Sequence, residues 1–160
     1  MFSKSVEKEF QDLLTKYPSK RSALIPALHL VQRELGYLPD EGIEYVAQLI
    51  GLSPAQVNEV ATFYLLFHRK PVGKNVIWVC HNLSCTLRGA EEVIARIESR
   101  LGIKVGETTP DGKFSLFRQE CLGSCDTAPM MQVNEDYEEN LTLQRVDEIL
   151  DKLKNKPEEK

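Results

Sequence analysis

The sequence predicts a protein of mixed α/β (α+β) class in two parts: a helical bundle over residues 1–70, then helices packed on a mixed sheet over residues 71–160. Three observations lead there. Apolar residues recur at helical spacing as far as Phe67. The stretch "HRKPVGKN", residues 68–75, is polar, holds Pro71 and Gly73, and reads as a junction. Beyond it the strand-like and helical runs follow the order β-α-β-β-β-α, which requires helices lying on a mixed sheet.

In the first part, Val6, Phe10, Leu13, Leu14 and Tyr17 fall on one face of a helix. Ser22 is placed to cap a second helix, where Pro26 is tolerated because it lies in the first turn. Leu24, Ala27, Leu28, Val31 and Leu35 form its apolar face, and Gly36 ends it. A third helix starts near Asp40, carries Ile43, Val46, Ala47 and Ile50, and stops at Gly51. "SPAQ" at residues 53–56 has serine at the N-cap, proline at the first helical position and glutamine at the third, a strong helix start. That fourth helix runs into "VATFYLLF", whose Phe63 and Leu66 read as an ordinary buried face, with partner binding as the other use for its aromatic residues. Short helices on short connections make a bundle.

In the second part, "NVIWVC" is a buried strand ending at Cys80. "TLRGAEEVIARIESRLG" reads as one helix with Leu87, Ala90, Val93, Ile94, Ile97 and Leu101 inward. "KFSLFR" and "PMMQVN" are strands, and "EDYEENL" suits an edge strand inside an acidic run, "NEDYEEN", that otherwise reads as a solvated turn. "TLQRVDEILDKL" is a closing helix with Leu143, Val146, Ile149, Leu150 and Leu153 inward, and residues 154–160 are a charged tail.

Composition narrows the function. A chain that is 42% hydrophobic and 28% charged has the make-up of a packed soluble domain rather than a disordered one. Its formal net charge of -4 argues against nucleic-acid binding, which needs a clustered basic face. No apolar run approaches a membrane span. The start "MFSKSVEKEF" lacks the apolar region of a secretory signal, so a reducing cytoplasmic location is expected. There is no G-x-G-x-x-G, no phosphate-binding P-loop pattern and no acid–base or nucleophile constellation, so no catalytic residue is assigned.

The chemistry lies in four cysteines, Cys80, Cys85, Cys121 and Cys125, spaced C-x4-C, 35 residues, then C-x3-C. Each pair stands at the ends of elements, and the helix and returning strand between the pairs bring the second loop beside the first. Four thiolates at one point repel and are costly to desolvate without a cation. A 2Fe-2S cluster, a tetrahedral zinc ion, or two disulfides would each relieve this. The residues between the cysteines favour the cluster. "HNLS" and "LGS" make wider loops than a zinc knuckle. Gly123 and Ser124 let a backbone approach closely and present N–H donors. The helix after Cys85 would aim its positive end at an anionic centre. Pro129 stiffens the loop exit, while Met130 and Met131 read as core filling rather than cluster cover. His81, next to Cys80, either tunes such a centre or faces solvent from its loop. His29 and His68 read as surface or satisfied helix residues. A thioredoxin-type thiol oxidoreductase is weakly supported, because no C-x-x-C is present.

"VCHNLSCTLRGAEEV", "DGKFSLFRQECLGSCDTAPMMQVN", "GYLP" and "EVATFYLLF" together resemble the NuoE-type subunit of respiratory complex I, NADH:quinone oxidoreductase, over nearly the whole chain. The resemblance implies a helical bundle followed by a thioredoxin-like ferredoxin domain. It also implies one 2Fe-2S cluster, with Cys80 and Cys85 on one iron and Cys121 and Cys125 on the other. FMN and NADH are then expected on a partner, the NuoF-type subunit, within a larger respiratory complex that holds this chain peripheral to the membrane. The implied role is single-electron exchange with that flavin, from a cluster set off the main path to quinone. The same resemblance extends to diaphorase subunits of some hydrogenases and formate dehydrogenases.

Overall fold

The computed structural model describes residues 2–155, which fall into two compact units divided between Pro71 and Val72. The first unit holds α1 (Lys4–Thr15), α2 (Leu24–Leu35), α3 (Asp40–Ile50) and α4 (Pro54–Phe63). Ser3 caps α1, which ends before Tyr17. A 3-10 turn, Lys20–Ala23, leads straight into α2. Ser22 is therefore not the cap. It sits inside the turn, and Ser19, in extended backbone, accepts its amide at 3.3 Å. Pro26 lies in the first turn of α2, as its missing N–H requires. At α4 the Ser53 hydroxyl accepts from the Gln56 amide at 3.3 Å, and the Gln56 side chain accepts from the Ser53 amide at 3.0 Å. Phe10, Leu28, Val31 and Val46 are fully buried, with the Phe2 and Tyr45 rings packed on Phe10.

The end of α4 departs from the sequence pattern. Tyr64 takes an extended conformation, so the helix stops at Phe63 and its periodicity stops with it. Phe67 turns inward, while Phe63 is 75% and Leu66 44% exposed. Neither lies on a buried helix face. Gln32 fastens the following turn, donating to the Leu66 carbonyl at 2.9 Å and accepting from the His68 amide at 2.7 Å. His68 lies beyond the helix and half-buried, and its burial lowers its pKa. His29 is exposed on α2, its ring 4.9 Å from that of Phe67.

The second unit holds β1 (Asn75–Cys80), α5 (Leu83–Leu87), α6 (Ala90–Leu101), β2 (Phe114–Gln119), β3 (Met131–Val133), β4 (Asp136–Glu138) and α7 (Leu143–Lys154). The sheet order is β2-β1-β3-β4. β1 and β2 are parallel, joined by a helical crossover as parallel strands must be. β3 runs antiparallel to β1 and β4 antiparallel to β3, so the sheet is mixed and "EDYEENL" does supply an edge strand. Ile77, Val79, Leu116 and Met131 share one core with Val93, Ile94 and Ile97 of α6 and Val146, Ile149 and Leu150 of α7. Arg96 of α6 holds Asp147 of α7 through two hydrogen bonds. Among the described residues no helix is long and apolar enough to cross a membrane.

Three expectations change here. The helix after Cys80 is two helices, because Gly89 at φ 95 breaks the path between α5 and α6. The break resets the phase, so Leu87 is 77% exposed while Ala90, Val93, Ile94 and Ile97 stay inward. Leu143, the first residue of α7, also faces out, because the Thr142 cap turns the chain there. Residue 154, expected to open the charged tail, is helical instead. Lys154 belongs to α7 and Asn155 caps it, while the remainder of the expected tail, residues 156–160, lies outside the described residues.

Candidate metal centre

Parallel pairing of β1 and β2 sets Cys80 opposite Gln119, so the loops that follow both strands leave the same end of the sheet. Cys80 is the last residue of β1, its amide bonded to the Met130 carbonyl at 3.2 Å and its thiol to the Glu120 carbonyl at 3.3 Å. Cys85 lies inside α5, whose first amide is capped by Asn82 at 2.7 Å. The sequence pattern predicts Cys85 just before a long helix pointing at the site. It is α6, beyond the break at Gly89, whose first residue Ala90 packs with Cys80, Cys85, Ala128 and Met130. Cys121 follows β2, and Cys125 opens a short 3-10 turn, Cys125–Thr127.

The two pairs differ in burial. Cys80 and Cys85 are buried, Cys121 and Cys125 exposed, and all four are free thiols. The Cys121 and Cys125 sulfurs stand 3.9 Å apart. Cys85 is hydrogen-bonded to Cys80 and to the Met130 backbone. Burial pushes the Cys85 thiol above its ordinary value, and the hydrogen bond to Cys80 adds to this. Cys125 is also raised, first by its hydrogen bond and charge contact with Cys121, while the Ser84 hydroxyl, bonded to the same sulfur, pulls it down. Cys80 bears on Cys125, and Cys125 on Cys85, so the pairs sense each other's charge. Cys85 and Cys125 therefore resist ionisation on their own and suit a cationic centre that stabilises thiolates.

Among the described residues no three His, Cys, Asp or Glu side chains gather as ligands of a single metal ion. Two pairs of soft sulfur donors have the ligand chemistry of a 2Fe-2S cluster, and equally of a four-cysteine zinc site.

The surroundings contain residues that the sequence pattern did not mark. Ser84 reaches Cys125 from α5, and a serine inside "HNLSC" carries no periodic or spacing signal. The acidic run is more than a solvated turn. Tyr137 donates to the Leu122 carbonyl at 2.8 Å, and Glu139 accepts from the Ser124 and Thr127 hydroxyls. Of the two methionines, Met131 fills the sheet core, but Met130 is buried against Cys80 and Cys85 and covers them. Gly123 has φ 84, and a Cβ there would meet nothing within 4 Å. Its role is handedness rather than close approach. His81 is half-buried, with its Nε2 3.6 Å from a Glu120 carboxylate oxygen.

Comparison with known proteins agrees with this geometry. A family profile described as thioredoxin-like [2Fe-2S] ferredoxin matches residues 10–154. The E 2 subunit of the NADH-quinone oxidoreductase of Rhizobium meliloti (strain 1021) is 45% identical over 150 residues, covering 94% of this chain and 89% of that protein. The E subunit of the NADH-quinone oxidoreductase of Rickettsia bellii (strain RML369-C) is 48% identical over 148 residues, covering 91% of this chain and 89% of that one. The crystal structure of an NAD+-reducing [NiFe]-hydrogenase in the air-oxidized state superposes with a TM-score of 0.74 over 82% of this chain. At 21% identity, and spanning 23% of the hydrogenase chain, that likeness shows the fold alone. A match running from the first helix of the bundle to the last helix on the sheet leaves one conclusion: the chain belongs to the thioredoxin-like [2Fe-2S] ferredoxin family.

Proposed function

We propose that Cys80, Cys85, Cys121 and Cys125 hold one 2Fe-2S cluster, with Cys80 and Cys85 on one iron and Cys121 and Cys125 on the other, and that the chain is the NuoE-type, electron-transferring subunit of an NADH-quinone oxidoreductase. The observation that carries the reading is the meeting of four free thiols, two by two, at one end of the sheet. The cluster, when bound, supplies a one-electron couple. The protein's part is to shield one side and open the other. Met130, Ala90 and Ala128 exclude water around Cys80 and Cys85, while exposed Cys121 and Cys125 leave an edge for a redox partner. Ser84 and the Met130 amide donate to ligand sulfurs and so stabilise negative charge there.

The partner we infer is a NuoF-type subunit carrying FMN and the NADH site. Two things support it: the naming of the relatives as oxidoreductase subunits, and the absence of a dinucleotide or phosphate loop in this sequence. Within that complex the chain is peripheral to the membrane on the cytoplasmic side. Residues 1–70 serve assembly and residues 71–160 the cluster.

The test is anaerobic purification with iron, labile sulfide and zinc assays, and paramagnetic resonance before and after dithionite. About two irons and about two sulfides per chain, silent when oxidised and paramagnetic when reduced, are expected. Zinc without a signal, after reconstitution with iron and sulfide has also failed, would overturn the reading.

A further inference from the structure

The loop bearing Cys121 and Cys125 has little structure of its own. Between β2 and β3 it forms only the 3-10 turn at Cys125–Thr127, and both cysteines stand exposed. Its position is set from outside by residues 137–141, the stretch leading from β4 into α7. Tyr137 Oη donates to the Leu122 carbonyl at 2.8 Å. One carboxylate oxygen of Glu139 accepts from Thr127 Oγ1 at 2.8 Å and from Ser124 Oγ. The Asn140 amide donates to the Thr127 carbonyl at 2.8 Å, and the Leu141 amide to the Pro129 carbonyl at 2.9 Å.

We infer that residues 137–141 are a positioning strap that fixes the exposed cysteine pair. The inference rests on the ligand reading above. Its contacts bracket the cysteines: Leu122 follows Cys121, Ser124 precedes Cys125, and Thr127 closes the turn that Cys125 opens. The strap itself is anchored at both ends. Tyr137 is paired with Gln132 in the sheet, and Leu141 is buried in the core just before the Thr142 cap of α7. The strap thus lends the stiffness of a strand and a helix to a loop that has neither. Ligand-orienting partners of this kind hold metal affinity by restricting the motions through which a ligand leaves.

The test uses the full chain with its cluster, comparing wild type with Tyr137→Phe, Thr127→Val and Thr127→Ser. Two readouts are iron release to a ferrous chelator and the resonance spectrum of the reduced protein. Tyr137→Phe removes the strap's own hydroxyl, and Thr127→Val the loop hydroxyl that Glu139 of the strap accepts from. Both variants are expected to lose iron about tenfold faster and to shift the reduced spectrum. Thr127→Ser keeps its hydroxyl and should behave as wild type. Release and spectra unchanged in both Tyr137→Phe and Thr127→Val would overturn the strap. A wild-type chain that takes up no iron and sulfide would overturn the ligand reading instead. If Thr127→Val does not fold, Tyr137→Phe, which loses a single exposed hydroxyl, decides the matter.

Discussion

The two cysteine pairs lie at one end of one sheet and are built by opposite means. Cys80 and Cys85 stand on regular elements, the end of β1 and the middle of α5, and are buried among Ala90, Ala128 and Met130. Cys121 and Cys125 are exposed on a loop that a distant segment ties in place. The first pair owes its position to the core, the second to hydrogen bonds. A redox centre needs both conditions, a dry side that fixes the metal and an open side that a partner can approach.

The largest expected effect separates the pairs by fold. In the cluster-free protein, Cys85→Asp buries an unpaired carboxylate and costs about 3 kcal/mol or more, whereas Cys121→Asp stays within about 0.5 kcal/mol. Urea midpoints of the two variants measure this. Equal costs would mean that the pairs do not differ in burial. Alanine at either position is expected to abolish the cluster equally, as read by iron and sulfide content.

Next in size is Gly123. Its φ of 84 strains any side chain with a Cβ, though space there is open. Gly123→Ala is expected to cost about 1 kcal/mol, and Gly123→Asn less, because asparagine tolerates the left-handed region. A cost for asparagine equal to that for alanine would point to packing rather than handedness.

Ser84→Ala probes the link between the pairs. It removes a donor to the Cys125 sulfur. Donors stabilise the more negative, reduced form, so the variant should have a lower midpoint potential with unchanged iron content. Potentiometric titration followed by paramagnetic resonance measures it, and a potential at or above wild type would contradict the role.

The smallest effect concerns acid. The Ser124 hydroxyl, then that of Thr127, holds the Glu139 carboxyl below its ordinary 4.5. The unfolded chain therefore takes up that proton first. The contribution is complete above the ordinary value and fades as pH falls through the lowered one. Between about pH 6 and about pH 3, cluster-free wild type should lose more stability than Glu139→Gln. Parallel pH curves for the two proteins would refute it.

Much of this architecture is legible in the sequence, because it depends on neighbours a few positions apart. The Ser53–Gln56 capping box, the left-handed glycines Gly36 and Gly51, the order of strands and helices, and the cysteine spacing are all local signals, and each has its counterpart in the structure. Periodicity misled where helices begin, break or end. Phe63, Leu66, Leu87 and Leu143 read as inward, but a turn at Tyr64, a break at Gly89 and a cap at Thr142 reset the phase. The sequence by itself determined which elements form and which four thiols can meet, since hydrogen-bonding caps, backbone handedness and side-chain period act within a turn or a strand. Only the tertiary structure decided that one pair is buried and the other exposed, and that Tyr137 and Glu139 fasten a loop 15 positions away. Those outcomes depend on which surfaces remain after the sheet and helices have packed, and no local pattern encodes that remainder.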